Sequence, residues 1–70
     1  MDLNKKIGER ISQLRKERKL TAEKLAWGSD LSKSCVCYAE QGARDIKLST
    51  IDAICKGMQI SLAEFFKPFV

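Results

Sequence analysis

Apolar residues return along this chain at helical spacing, with few stretches of strict alternation. Leu3, Ile7, Ile11 and Leu14 lie within about 80° of one another on a helical wheel. They predict a first helix that runs to about Arg18, with Asn4 or Asp2 capping its start and Lys5, Lys6 and Lys16 on its outer face. Thr21 is an N-cap for a short second helix, Ala22 to about Gly28, whose apolar positions are Leu25 and Ala26. Gly28-Ser29-Asp30 is a turn signal. Ser32 caps a third helix running through Glu40 or Gln41, and Gly42 ends it at the C′ position. A loop from Ala43 to Lys47 follows. The fourth helix begins near Leu48 to Thr50 and reaches Lys56, with Leu48, Ile51, Ile54, Cys55 and Met58 as its buried stripe and Gly57 in its C-cap region. Ser61-Leu62-Ala63-Glu64 is a capping box for a C-terminal helix at about 62–67, rich in Leu62, Phe65, Phe66 and Phe69. The expected fold is all-α, five short helices in one domain over residues 1–70, with a single proline and no repeat or linker.

The third helix has two unlike faces. Lys33, Ser34, Cys37, Tyr38 and Gln41 span an arc of about 140°. Val36 and Ala39 lie on the opposite side, with Cys35 beside them. An apolar back and a polar front are what a helix needs to pack on a domain while presenting side chains to a groove. Two short helices joined by a tight turn are the pattern of a helix-turn-helix, in which the second helix enters the DNA major groove, and spacing alone only suggests that motif.

The residues sharpen this reading. Leu20-Thr21-Ala22-Glu23-Lys24-Leu25-Ala26, followed by Leu31-Ser32-Lys33-Ser34-Cys35-Val36-Cys37-Tyr38-Ala39-Glu40-Gln41-Gly42, resembles the helix-turn-helix of the phage repressor and Cro family, at about residues 21–41. Leu48 through Phe66 resembles that family's fourth and fifth helices, so the likeness covers about residues 7–66. It implies a compact five-helix, lambda-repressor-like domain and a sequence-specific transcriptional regulator that binds double-stranded DNA as a homodimer on a two-fold operator.

Individual roles follow from this resemblance and from side-chain chemistry. Lys33 is placed to donate to guanine, Ser34 to donate or accept at either base type, Cys37 to pack on a thymine methyl, and Tyr38 to lie along base edges or reach a phosphate. The helix starts at Thr21, Ala22 and Ser32 offer free amides to phosphates. Gln41, Arg44 and Lys47 are further phosphate contacts. Lys19 is evenly balanced between a DNA-facing and a solvated role, whereas Lys16 and Arg18 read as solvated surface. Arg15 and Glu40 match a pair that orients the third helix against the first. Leu62, Phe65, Phe66 and Phe69 form the expected dimer contact, as family members often associate through this end.

Several positions depart from the family's pattern. Ala22 stands where glutamine is usual, which removes one backbone contact. Asp30 and Lys19 stand where glycine is frequent, so each is expected at positive φ. Cys37 replaces a frequent serine. Trp27 takes a usually polar position, where an exposed ring and a ring folded over the end of the second helix are both open, the latter being preferred.

Composition narrows the alternatives. Seventy residues leave no room for a large cleft between lobes. Net charge is +4, which favours a polyanionic partner. The absence of histidine removes the usual general base and the commonest zinc ligand. Cys35 and Cys37 point about 160° apart on one helix and cannot share a metal. Cys35 and Cys55 read as small core residues, and Cys37 is expected exposed on the polar face. No enzyme, metal or cofactor is expected. There is no apolar run near the ~18 residues of a membrane span and no signal-peptide stretch, so the expected location is the cytoplasm. Within the regulator class, a restriction–modification controller and a phage-type repressor are both open. The competing class is an interaction module of the same fold, antitoxin-like or a regulator's partner, without sequence-specific DNA binding.

Overall fold

Four of the five helices start on a side-chain cap supplied by the residue just before them. The computed structural model describes residues 2–43 and 45–70. Among these, the chain forms α1 (Leu3–Glu17), α2 (Ala22–Ser29), α3 (Lys33–Gln41), α4 (Leu48–Met58) and α5 (Leu62–Phe66), then a 3-10 turn over Lys67–Phe69. The Asp2 carboxylate accepts from the Asn4 and Lys5 amides. The hydroxyls of Thr21, Ser32 and Ser61 accept from the amides of Lys24, Cys35 and Glu64. Each cap satisfies a first-turn donor that has no partner within the helix. Lys47 precedes α4 without a side-chain cap.

Helices end where left-handed residues stop them. Asp30 has φ 58°, Gly42 65° and Gln59 61°, each with its amide bonded back into the last turn. Lys19, between α1 and α2, has φ 55°. Gly57 does not end the fourth helix. It lies inside α4, which runs one residue further to Met58 because Met58 continues the stripe of Ile51 and Ile54 and is buried with them. The turn falls on Gln59, and Ile60 N–H closes it on the Cys55 carbonyl at 3.0 Å.

All five helices share one core. Ile7, Ile11 and Leu14 of α1 meet Leu25 and Ala26 of α2, Val36 and Ala39 of α3, Ile51, Ile54, Cys55 and Met58 of α4, and Phe65 of α5. Burying each of the larger side chains stabilises the fold by about 1.5–3 kcal/mol. Leu3 (55% exposed) and Leu48 (65% exposed) are not in it, contrary to the sequence reading. Both sit in the first turn of their helix, past the edge of the core cluster. Cys35 is only half-buried, so it too lies at the edge of the core, whereas Cys55 is fully inside.

The crossing of α1 with α3 requires a residue without a side chain. A Cβ on Gly8 would collide with the Glu40 carbonyl and lie 2.7 Å from the Ala39 carbonyl oxygen. Glycine at this position lets the back of α3 rest on the α1 backbone. Two arginines of α1 and its C-cap, Arg18, then bind the rest of the molecule. Arg10 donates to the Phe65 and Glu64 carbonyls, both at 2.9 Å. Arg18 donates to the Met58 carbonyl at 3.1 Å, at the end of α4. These cations donate to carbonyls in the last turns of α5 and α4 and sit favourably against the negative dipole ends. Arg18 is therefore structural, in addition to the solvated role its sequence context indicates.

Candidate nucleic-acid interface

α3 is held from behind and open in front. Its back, Val36 and Ala39, is buried in the core. Its orientation is set by Arg15, whose Nε and Nη2 donate to the two Glu40 oxygens at 2.6 and 3.0 Å. The same guanidinium donates through Nη1 to the Leu20 carbonyl at 2.8 Å. One side chain of α1 thus ties α3 to the segment that opens the helix-turn-helix. Both partners keep only 15% of their side-chain surface exposed. The Glu40 carboxylate raises the Arg15 pKa above its ordinary value, so the guanidinium stays charged at any working pH. Glu40 occupies the edge of α3, four residues after Val36, and so keeps the core face and the polar face of the helix from rotating relative to the domain.

The front carries the expected set. Lys33, Ser34, Tyr38 and Gln41 are exposed, and Cys37 is half-buried rather than open. Tyr38 keeps 45% of its surface and also makes contacts within the chain. Beside α3 runs an open groove of about 300 Å³, lined by Ser32, Cys35, Tyr38, Asp45, Lys47 and Thr50 among others. The groove brings the starts of α3 and α4 to one surface, with Lys47 among its lining residues. Thr21 and Ser32 are exposed at the starts of α2 and α3, and Ala22 is half-buried. Both helix starts present first-turn amides and a positive dipole end on the exposed surface. Glu23, in the first turn of α2, offsets part of that field. Arg44 lies outside the described residues.

Other expectations change. Trp27 is 70% exposed and does not fold over the end of α2. α2 already meets its neighbours through Leu25 and Ala26, and Trp27 falls on the opposite side. Phe65 cannot be a contact residue because it is fully buried in the core. Its position in α5 faces inward, leaving Leu62, Phe66 and Phe69 half-buried at the surface. Phe66 and Phe69 pack edge to face with centroids 5.5 Å apart, and Lys6 lies 5.4 Å above the Phe69 ring. Burial raises the Cys55 thiol pKa, with Asp52 adding to it, which keeps this cysteine protonated and unreactive. Among the described residues no group of His, Cys, Asp and Glu could hold a metal ion. Nor is any described helix long and apolar enough to cross a membrane.

Two features of this surface have no sequence signal. Asn4 Nδ2 donates to Asp45 Oδ1 at 2.8 Å across forty-one positions of chain. Arg10 and Arg18 spend their guanidinium groups on carbonyls of α5 and α4. Neither contact leaves a periodicity or motif.

Comparison with known proteins places this geometry. Residues 10–69 match the Cro/C1-type HTH DNA-binding domain. The chain is 37% identical over 57 residues to the immunity repressor protein of Bacillus phage phi105, covering 81% of this chain but 40% of that protein. It is 32% identical over 66 residues to control protein C.MunI of a Mycoplasma species, covering 93% of this chain and 89% of that protein. Among solved structures, a variant of C.Esp1396I bound to its highest affinity operator site matches with a TM-score of 0.89 and 28% identity, over 97% of this chain and 90% of that one. C.Esp1396I is a restriction-modification controller protein.

Proposed function

This chain belongs to the Cro/C1-type helix-turn-helix DNA-binding family, and from that premise we propose that it is a transcriptional regulator that binds a two-fold operator as a homodimer. The observation that carries the reading is α3 itself. Its back is locked by the core and by the Arg15–Glu40 pair, while Lys33, Ser34 and Tyr38 stand exposed on its front.

Lys33 lies in the first turn, nearest the groove floor, and donates to guanine O6 or N7. Ser34, Cys37 and Tyr38 complete the base-facing set. Thr21, Ala22, Ser32, Gln41 and Lys47 hold phosphates on either side, and Arg44 joins them from the same loop. Phosphate contacts fix register and affinity, and the front of α3 supplies discrimination. One such helix reads only a few base pairs, so useful specificity needs two copies. Leu62, Phe66 and Phe69, half-exposed at one end of the molecule, are the face through which the copies join.

Of the two biological settings, control of a restriction–modification system has the better support. The match to the control protein C.MunI extends over 89% of that protein, whereas the phage repressor is matched over 40% of its length.

The test is selection of binding sites from a random duplex pool at about 150 mM salt, where non-specific phosphate binding is weak. The expected result is an enriched two-fold sequence with half-sites about one helical turn apart. A folded, soluble protein that enriches nothing would overturn the reading in favour of an interaction module.

A further inference from the structure

Asp45 is out of place on a surface built to meet phosphates. It lines the same groove as Ser32, Tyr38, Lys47 and Thr50, two residues before Lys47. At physiological salt, exposed charges still interact over about 8 Å before screening removes most of the effect. A carboxylate here repels the phosphates that Lys47 attracts. The structure gives this acid a partner: Asn4 Nδ2 donates to its Oδ1 at 2.8 Å. The Asn4 backbone is itself held, because its N–H donates to the capping Asp2 carboxylate at 3.0 Å. The loop touches α1 at one further point. The Gly42 backbone lies on the first turn of α1, so close that a Cβ there would stand 2.8 Å from Lys5 Cα. The connection between α3 and α4 is thus pinned to the start of α1 at Gly42 and again at Asp45, on both sides of its middle.

We infer that Asn4 and Asp45 are positioning residues for DNA binding, a strut from α1 that holds the α3–α4 loop, and with it Lys47, in the conformation that meets the phosphate backbone. The inference rests on the DNA-binding reading above. The bond is exposed, so it contributes little to global stability. Its effect is local: holding Asp45 and Lys47 in place before DNA arrives reduces the conformational freedom lost on binding. The start of α1 lies far from the helix-turn-helix in sequence, yet it becomes part of the interface through this one hydrogen bond.

Charge and positioning predict opposite signs, which separates them. Affinity is measured by fluorescence anisotropy on the duplex enriched from the random pool, and on a scrambled duplex, for wild type, Asn4→Ala, Asp45→Ala, Asp45→Asn and the double alanine variant. Asn4→Ala and Asp45→Ala are each expected to weaken operator binding about three- to tenfold for each of the two bound copies, the fold-change of one hydrogen bond, with a melting temperature within a few degrees of wild type. Asp45→Asn keeps the acceptor and removes the charge, so it is expected to bind as tightly as wild type or more tightly. The double variant is expected to be no weaker than either single alanine variant, as for two partners in one interaction. If Asp45→Ala binds more tightly and Asn4→Ala is unchanged, Asp45 is only a repulsive surface charge and the strut is overturned. Losses that add in the double variant would also overturn it. If wild type itself does not distinguish the enriched from the scrambled duplex, the DNA-binding reading fails and the strut fails with it.

Discussion

The arginines of α1 and of its C-cap, and the lysines around α3, carry the same charge and do opposite things. Arg10, Arg15 and Arg18 spend their donors inside the protein, on the carbonyls of α5, the carboxylate of Glu40 and the carbonyl at the end of α4. Lys33 and Lys47 are exposed at the starts of α3 and α4 and line the open side of the molecule. The guanidinium group explains the division. Its planar fork of donors satisfies several fixed acceptors at once, whereas an ammonium is a mobile point charge suited to a phosphate. The lesson is that a net charge of +4 does not measure a DNA-binding surface. Much of the positive charge of α1 is mortar, and the interface rests on a few lysines, hydroxyls and helix starts.

Substitutions can break this contrast at different strengths. The largest effect is expected from Gly8→Ala, which forces α1 and α3 apart because the new Cβ meets main-chain oxygens that cannot move aside. The expected loss is about 3 kcal/mol, on the order of 15 °C in melting temperature for a domain of this size, measured by thermal melts. Glu40→Ala comes next. It leaves the Arg15 guanidinium partly buried without its carboxylate, at a cost of about 2 kcal/mol, and it frees α3 to rotate, so operator affinity falls as well. Unchanged melting temperature and unchanged affinity would remove the pair from both roles.

The sharpest comparison sets Arg18→Ala beside Lys47→Ala. Arg18→Ala is expected to lower stability by about 1 kcal/mol, through loss of its bond to Met58, and to leave the salt dependence of DNA binding as it was. Lys47→Ala is expected to do the reverse: the same melting temperature, with the slope of log affinity against log salt reduced by about 2, one lysine being lost from each of the two bound copies. A change of slope in the arginine variant would place Arg18 at the interface after all. The smallest effect is expected at Ser29, whose hydroxyl is buried and, among the described residues, unsatisfied. Unlike the arginines, it has found no acceptor or donor. Ser29→Ala is expected to stabilise the protein by about 0.5–1 kcal/mol, read from denaturant unfolding.

Local chemistry made much of the fold legible. Thr21, Ser32 and Ser61 each mark a helix start, and Asp30, Lys19 and Gly42 take the left-handed conformation that their places after a helix require. The Arg15–Glu40 contact was legible because a family pattern joins residues that no periodicity relates. Tertiary surroundings decided the rest. Leu3 and Leu48 satisfy the helical spacing, but spacing carries no information about where the neighbouring helix ends. Gly57 looks like a terminator until Met58 is seen to belong to the core. Phe65, Phe66 and Phe69 are one cluster in sequence, yet only Phe65 turns inward. Trp27 is exposed because α2 needs only Leu25 and Ala26 to bind its neighbours. The Asn4–Asp45 bond could not be read at all, since nothing in the chain links its two ends before folding.

The central claim, that the front of α3 reads bases, is tested most directly by selecting sites from one random duplex pool with wild type and with Lys33→Gln side by side. Glutamine pairs with adenine where lysine pairs with guanine. If α3 reads the bases, both proteins enrich two-fold motifs of the same spacing that differ at one position, repeated symmetrically in each half-site. Identical motifs from the two proteins would contradict it, and would move base recognition away from the start of α3.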